Sequence, residues 1–149
     1  MFLSESQYRS VLDSVPICCV DIIIQYDGKI LLIHRKESED MGDLWWIPGG
    51  RIHKNETFEN AVKRKALVET GLCVNIIKKG QSYEGFYESK KSSSGIHFIT
   101  TVFVTNLEKL GNIKLDYTTD DYKWIDYSKD RNTLHALLAT MIEENIHGI

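Results

Sequence analysis

With 149 residues, 42% of them apolar and 26% charged, the chain holds enough apolar side chains for one domain over residues 1–149 and too many for a disordered polymer. Its net charge of −3 offers no general attraction to nucleic acid or to an anionic membrane, so an anionic substrate needs local basic groups or a metal. No apolar run approaches the ~20 residues of a membrane span, and Met1-Phe2-Leu3 passes straight into polar residues, so neither a membrane helix nor a signal peptide is expected.

In chain order, Ser4 to Val15 predicts a helix capped by Ser4 and closed by Pro16, with Tyr8, Val11, Leu12 and Val15 on one face. Ile17 to Tyr26 predicts an apolar, β-branched strand interrupted by one charge, Asp21, which is costly to bury without a partner. Cys18 and Cys19 on that strand, with Cys73, form neither a disulfide framework nor a zinc pattern. They read as small buried thiols, in keeping with a reducing cytoplasm. Asp27-Gly28 predicts a hairpin turn, and Lys29 to His34 the returning strand, ending in Arg35. A polar loop from Glu37 to Gly42 precedes a short strand, Leu44 to Ile47, whose two tryptophans should face opposite sides.

The most informative stretch begins at Gly49-Gly50-Arg51 and continues through a helix expected from Thr57 to Thr70. Phe58, Ala61, Val62, Ala66, Leu67 and Val68 fall there at helical spacings, and Gly71 follows as a stop. A glycine loop bearing Arg51 that enters a helix carrying Arg64 and Glu69 suits a metal-bound diphosphate. Backbone N–H groups and arginine hold the anion, and a glutamate with an exposed carbonyl holds a hard cation such as Mg2+. Beyond it, Cys73 to Ile77, Gln81 to Tyr87 and Ile96 to Asn106 read as strands, with a polar loop from Glu88 to Gly95. Thr133 to Asn145 reads as a helix with Leu134, Leu137, Leu138, Met141 and Ile142 on its apolar face. The elements give an α/β (α+β) fold, a mixed β-sheet sandwiched between helices.

The spacing of Gly50, Glu56, Arg64, Glu69, Gly71 and Leu72 resembles the Nudix box, G-x5-E-x7-R-E-U-x-E-E-x-G-U with U apolar; Lys65 and Val68 stand where the pattern has glutamate. The run Trp45-Trp46-Ile47-Pro48-Gly49-Gly50-Arg51, together with Asp21, Arg35 and Asp120-Asp121-Tyr122-Lys123-Trp124, is most similar to the GDP-mannose mannosyl hydrolase branch. That resemblance implies the Nudix fold, Mg2+ at the Gly49 carbonyl and Glu69, and catalytic roles for Asp21 at the sugar and for Arg35 and Arg51 at the departing diphosphate. It further implies substrate contacts from Phe2, Leu3, Tyr8 and His97, partly across a homodimer, and pairing of Arg64 with Glu56.

The same branch carries Gln-His where this chain has Thr118-Thr119. Threonine cannot accept a proton near neutral pH, so a general base is sought among Asp120, Asp121, Glu88 and His97. The leading expectation is a Mg2+-dependent hydrolase of a nucleoside-diphosphate sugar, with water attacking the anomeric carbon. The alternatives are a pyrophosphohydrolase that cleaves the diphosphate and a catalytically weak nucleotide-binding module.

Overall fold

The computed structural model describes residues 3–146; the expected contact residue Phe2 lies outside them. Helix α1 (Glu5–Ser14) starts at the Ser4 cap, whose hydroxyl accepts from the Gln7 N–H while the Gln7 side chain returns to the Ser4 N–H. Strands β1 (Ile17–Tyr26) and β2 (Lys29–Arg35) follow, joined through Asp27 and Gly28, both at positive φ as a tight hairpin requires. Next come β3 (Leu44–Trp46), β4 (Gly49–Arg51), α2 (Phe58–Thr70), β5 (Asn75–Tyr87), β6 (Ile96–Asn106) and β7 (Thr119–Ile125). The C-terminal part holds α3 (Tyr127–Asp130), a 3-10 turn (Arg131–Thr133) and α4 (Ala136–Ile146).

The sheet runs β3-β2-β1-β6-β5, with β4 attached to β1 and β7 to β2. It is mixed because β1 lies parallel to β6, from Ile17 opposite Phe98 to Gln25 opposite Asn106, while its other partners are antiparallel. Alternation along β1 feeds two cores. Val20, Ile22 and Ile24 pack with Ala61, Val62 and Ala66 of α2 on one face; Ile23 packs with Leu138, Met141 and Ile142 of α4 on the other. The helices therefore cover both faces, as expected.

What positions the site is a fork in β1. Its C-terminal end pairs with β2 at Gln25 and Tyr26, whereas Cys19, Val20 and Asp21 pair with Arg51, Gly50 and Gly49 of β4. The change of partner leaves an opening beside Asp21, and β4 delivers the chain from there toward α2.

Several expectations are corrected. Cys18 and Cys73 are exposed and Cys19 is half-buried, so the thiols are not a buried set. On α2, Leu67 and Val68 are each 52% exposed, because the inward face is taken by Ala61, Val62, Ala66, Glu69 and Thr70. The two strands expected over 73–77 and 81–87 are one, bulged between Ile76 and Lys78 and between Lys79 and Ser82. Gly80 sits at the second bulge because a side chain there would collide with Asn145, whose Oδ1 accepts the Gln81 N–H at 2.8 Å. The last helix begins later than Thr133: Leu134 is extended, and His135 Nδ1 accepts the Leu137 N–H at 3.2 Å in place of a cap.

Candidate functional site

A cleft of about 530 Å³ opens at the β1 fork, a size suited to a small ligand. Its walls include Asp21 of β1, Arg35 of β2, Gly49, Gly50 and Arg51 of β4, and Lys65 and Glu69 of α2. Tyr8 of α1 closes one side, and Asp116, Tyr117 and Thr118 another. The cleft thus joins Asp21, Arg35, Arg51, Tyr8, Gly49 and Glu69, six of the eight sequence-predicted site residues among those described.

Asp21 is only 8% exposed and its Oδ1 accepts the Trp46 indole N–H at 3.2 Å. Burial pushes its carboxyl up to about 6, against the hydrogen bond from Trp46 and the nearby Arg35 cation, both of which favour the charged form; Glu69 adds to the rise. The adjacent tryptophans do diverge: Trp46 reaches the cleft and the core, while Trp45 packs against His34 and lies under the Lys123 ammonium at 4.2 Å. Arg35 is steadied by donating from Nε to the Asp40 carbonyl at 3.1 Å. The Arg51 guanidinium lies over the Tyr8 ring at 4.7 Å, which keeps an extended cation in place without neutralising it.

On the cleft side of the helix behind these groups, Arg64 and Lys65 make ion pairs of different function. Arg64 donates from Nε to Glu56 Oε1 at 2.6 Å and from Nη2 to Oε2 at 2.8 Å, and also to the Arg51 carbonyl at 3.0 Å, fastening the loop to α2. These bonds hold the Glu56 carboxyl down to about 2. One residue on, Lys65 Nζ lies 2.7 Å from Glu69 Oε1, with the two side chains 17% and 7% exposed. The second Glu69 oxygen accepts the Gly49 N–H at 3.0 Å. Burial raises the Glu69 pKa, and the Lys65 cation opposes that rise.

Two expected contacts fall elsewhere. His97 is turned by strand alternation to the side away from the cleft that its neighbours Ile96 and Phe98 line; its ring stacks on Phe86 at 4.3 Å and Nε2 lies 3.6 Å from Glu84. Leu3 is 41% exposed and does not line the cleft. None of Asp120, Asp121, Glu88 and His97, the residues expected to supply a base, lines it either. Asp120 is engaged by His34 Nδ1 at 2.6 Å. Thr118 instead turns to Asp116, whose Oδ1 accepts from its N–H at 2.9 Å and its hydroxyl at 2.6 Å, so an unforeseen carboxylate, Asp116, joins the wall. Asp116 lies in an irregular loop, and no spacing in the sequence points to it. Lys65 could have been found from its i,i+4 spacing to Glu69.

A mixed sheet between helices, with a glycine-rich strand and an arginine-bearing helix facing a cleft lined by Arg35, Arg51 and Lys65 beside the carboxylates of Asp21, Glu69 and Asp116, defines a domain suited to phosphorylated ligands. The family model of the NUDIX domain matches residues 18–142, and the chain belongs to that family. It is 29% identical over 116 residues to the low-salt glycan biosynthesis protein Agl8 of Haloferax volcanii, covering 76% of this chain and 73% of that protein. It is 40% identical over 101 residues to the ADP-ribose pyrophosphatase of Methanocaldococcus jannaschii, covering 68% of this chain and 56% of that one. Among solved structures, the MutT protein of Methanosarcina mazei superposes with a TM-score of 0.72 at 24% identity, covering 87% of this chain and 93% of that chain, a likeness of fold.

Nudix hydrolases generally use divalent metals such as Mg2+. In this chain the donor set does not fit one as it stands. Both Glu69 oxygens are engaged, one by a cation, and Glu56 is committed to Arg64. Among the described residues no three His, Cys, Asp or Glu side chains converge into a group able to hold a metal ion. A divalent cation reaches Glu69 and the Gly49 carbonyl by displacing the Lys65 ammonium or by sitting beside its like charge.

Proposed function

We propose that this member of the Nudix hydrolase family cleaves a nucleoside-diphosphate sugar, with GDP-mannose the first substrate to test, by attack of water on the anomeric carbon. The observation that carries the reading is Asp21, a buried carboxylate raised to about 6 within a cleft whose other charged groups are mostly cations. A base that titrates near neutrality is matched to proton removal from water. In the proposed step the water oxygen forms a bond to the anomeric carbon and its proton passes to Asp21. The bond from that carbon to the diphosphate breaks, and its electron pair leaves on the phosphate oxygen. Arg35 and Arg51 hold the leaving nucleoside diphosphate by paired N–H donors, stabilising charge that grows as the bond breaks. Inversion at the sugar carbon follows from a single displacement. Likeness to a protein named for glycan biosynthesis fits a sugar-bearing substrate.

The proposal places the protein in the cytoplasm as a homodimer. Leu3, exposed and outside the cleft of its own chain, would meet substrate only across such an assembly. Sedimentation velocity giving a monomer would remove that contact from the account.

A second reading, cleavage between the phosphorus atoms, is favoured by the likeness to an ADP-ribose pyrophosphatase. It needs carboxylates to gather metal where this helix has Lys65 and Val68. Incubation with GDP-mannose followed by nucleotide separation distinguishes the two. GDP with free mannose supports attack at carbon; GMP with mannose 1-phosphate supports attack at phosphorus and contradicts the proposal.

A further inference from the structure

The Lys65–Glu69 pair is built into the wall of the cleft rather than laid on the surface. Lys65 Nζ is 2.7 Å from Glu69 Oε1, and Glu69 is fixed at its other oxygen by the Gly49 N–H. The lysine stem crosses the backbone of Gly50, where φ is +150° and a Cβ would stand 2.7 Å from Lys65 Cε and 3.0 Å from Nζ. Glycine at 50 therefore makes room for the lysine as well as for the positive φ of this strand residue. An ammonium carries three N–H donors, and one bond to Glu69 leaves two. Arg35 and Arg51 line the same cleft.

An oxygen already paired to an ammonium at this distance is a poor ligand for Mg2+, because the incoming ion must either displace the lysine or sit beside a like charge in a partly dry site. A diphosphate has the opposite preference. It gains charge-assisted hydrogen bonds from a cation that is already oriented and that Glu69 prevents from swinging away.

We infer that the Lys65 ammonium, held by Glu69 across Gly50, is the resident cation of the diphosphate site, and that the chain binds a nucleoside diphosphate without a divalent metal. This deepens the reading of the cleft as a nucleotide-sugar site and rests on it for the ligand class. Lys65 then takes the electrostatic part that a bound metal would otherwise play at the bridging and terminal phosphate oxygens. Glu69 acts through Lys65 as its positioning residue.

Isothermal titration of the full chain with GDP and, separately, with inorganic pyrophosphate tests this, each in EDTA and in excess Mg2+. The wild type is expected to bind both ligands in EDTA. Lys65→Gln is expected to weaken that binding about tenfold or more, the loss of a charge-assisted hydrogen bond, and Lys65→Arg to recover part of it. Thermal melts of each variant confirm that the loss is not one of folding. Binding by the wild type that disappears in EDTA and returns with Mg2+ overturns the inference. So does undiminished binding by Lys65→Gln, and so does failure of both ligands to bind under either condition. Metal-free binding without hydrolysis of GDP-mannose would leave Lys65 in its role and refute the proposed reaction instead.

Discussion

Asp21 is the residue on which stability and chemistry pull in opposite directions. Its carboxyl is raised from 3.8 to about 6 by burial, so the folded protein binds a proton there more tightly than the unfolded chain does. The sign follows from linkage: stability from this group is present below pH 3.8 and is lost as pH rises through 6. That loss amounts to up to about 3 kcal/mol. Asp21→Asn removes the titration and keeps an oxygen for Trp46. Its stability relative to wild type, followed by urea melts, should therefore improve by up to about that amount between pH 4 and pH 7. The same variant should lose about 10²–10⁴-fold in turnover, and wild-type kcat/KM should fall as pH drops below about 6. A variant whose stability relative to wild type does not rise between pH 4 and pH 7, and which is fully active, would contradict both roles. Glu56 behaves in the opposite sense. Held down to about 2 by Arg64, it contributes stability above pH 4.5 that disappears as pH falls toward 2. Arg64→Ala should cost about 1.5–3 kcal/mol in denaturant melts at pH 7 and flatten that acid limb.

At the scale of elements, the site depends on how β4 passes the chain to α2. Thr57 caps the helix by accepting the Asn60 N–H at 3.2 Å, and Gly71 ends it in the left-handed region at φ 73°. Thr57→Ala should cost about 1 kcal/mol of stability, measured by thermal unfolding, with little change in the contacts of Glu69 at the far end of α2. Both ends of this helix were readable from the sequence, since cap chemistry is local. So were the bounds of β6, where a run of apolar and β-branched residues is bracketed by Gly95 and the Asn106 loop. Strand β4 was not readable. Gly49-Gly50-Arg51 has no intrinsic strand preference, and its pairing exists because β1 turns from β2 to it at Asp21. The bulged continuity of β5 was hidden for a similar reason: Gly80 looks like a break until Asn145, distant in sequence, fills the space beside it. That His97 faces away from the cleft of its own chain was not readable, because a family match gives a position on a strand, whereas the face depends on local register.

For the whole molecule, two helical layers bury both faces of a forked sheet, and the fork supplies a cleft of about 530 Å³ in which arginine, lysine and a perturbed aspartate converge. The fold follows from periodicity and from the resemblance of the spaced glycines and glutamates to the Nudix box. The balance of charge in the cleft does not, because Asp116 takes its meaning from a partner, Thr118, that only the folded chain defines, and the i,i+4 spacing of Lys65 to Glu69 does not by itself place that pair in the cleft wall. The central claim is that water attacks carbon rather than phosphorus. Hydrolysis of GDP-mannose in water enriched in oxygen-18, followed by mass spectrometry of both products, tests it most directly. The account predicts label in free mannose and none in GDP; label in GMP or in mannose 1-phosphate would contradict it.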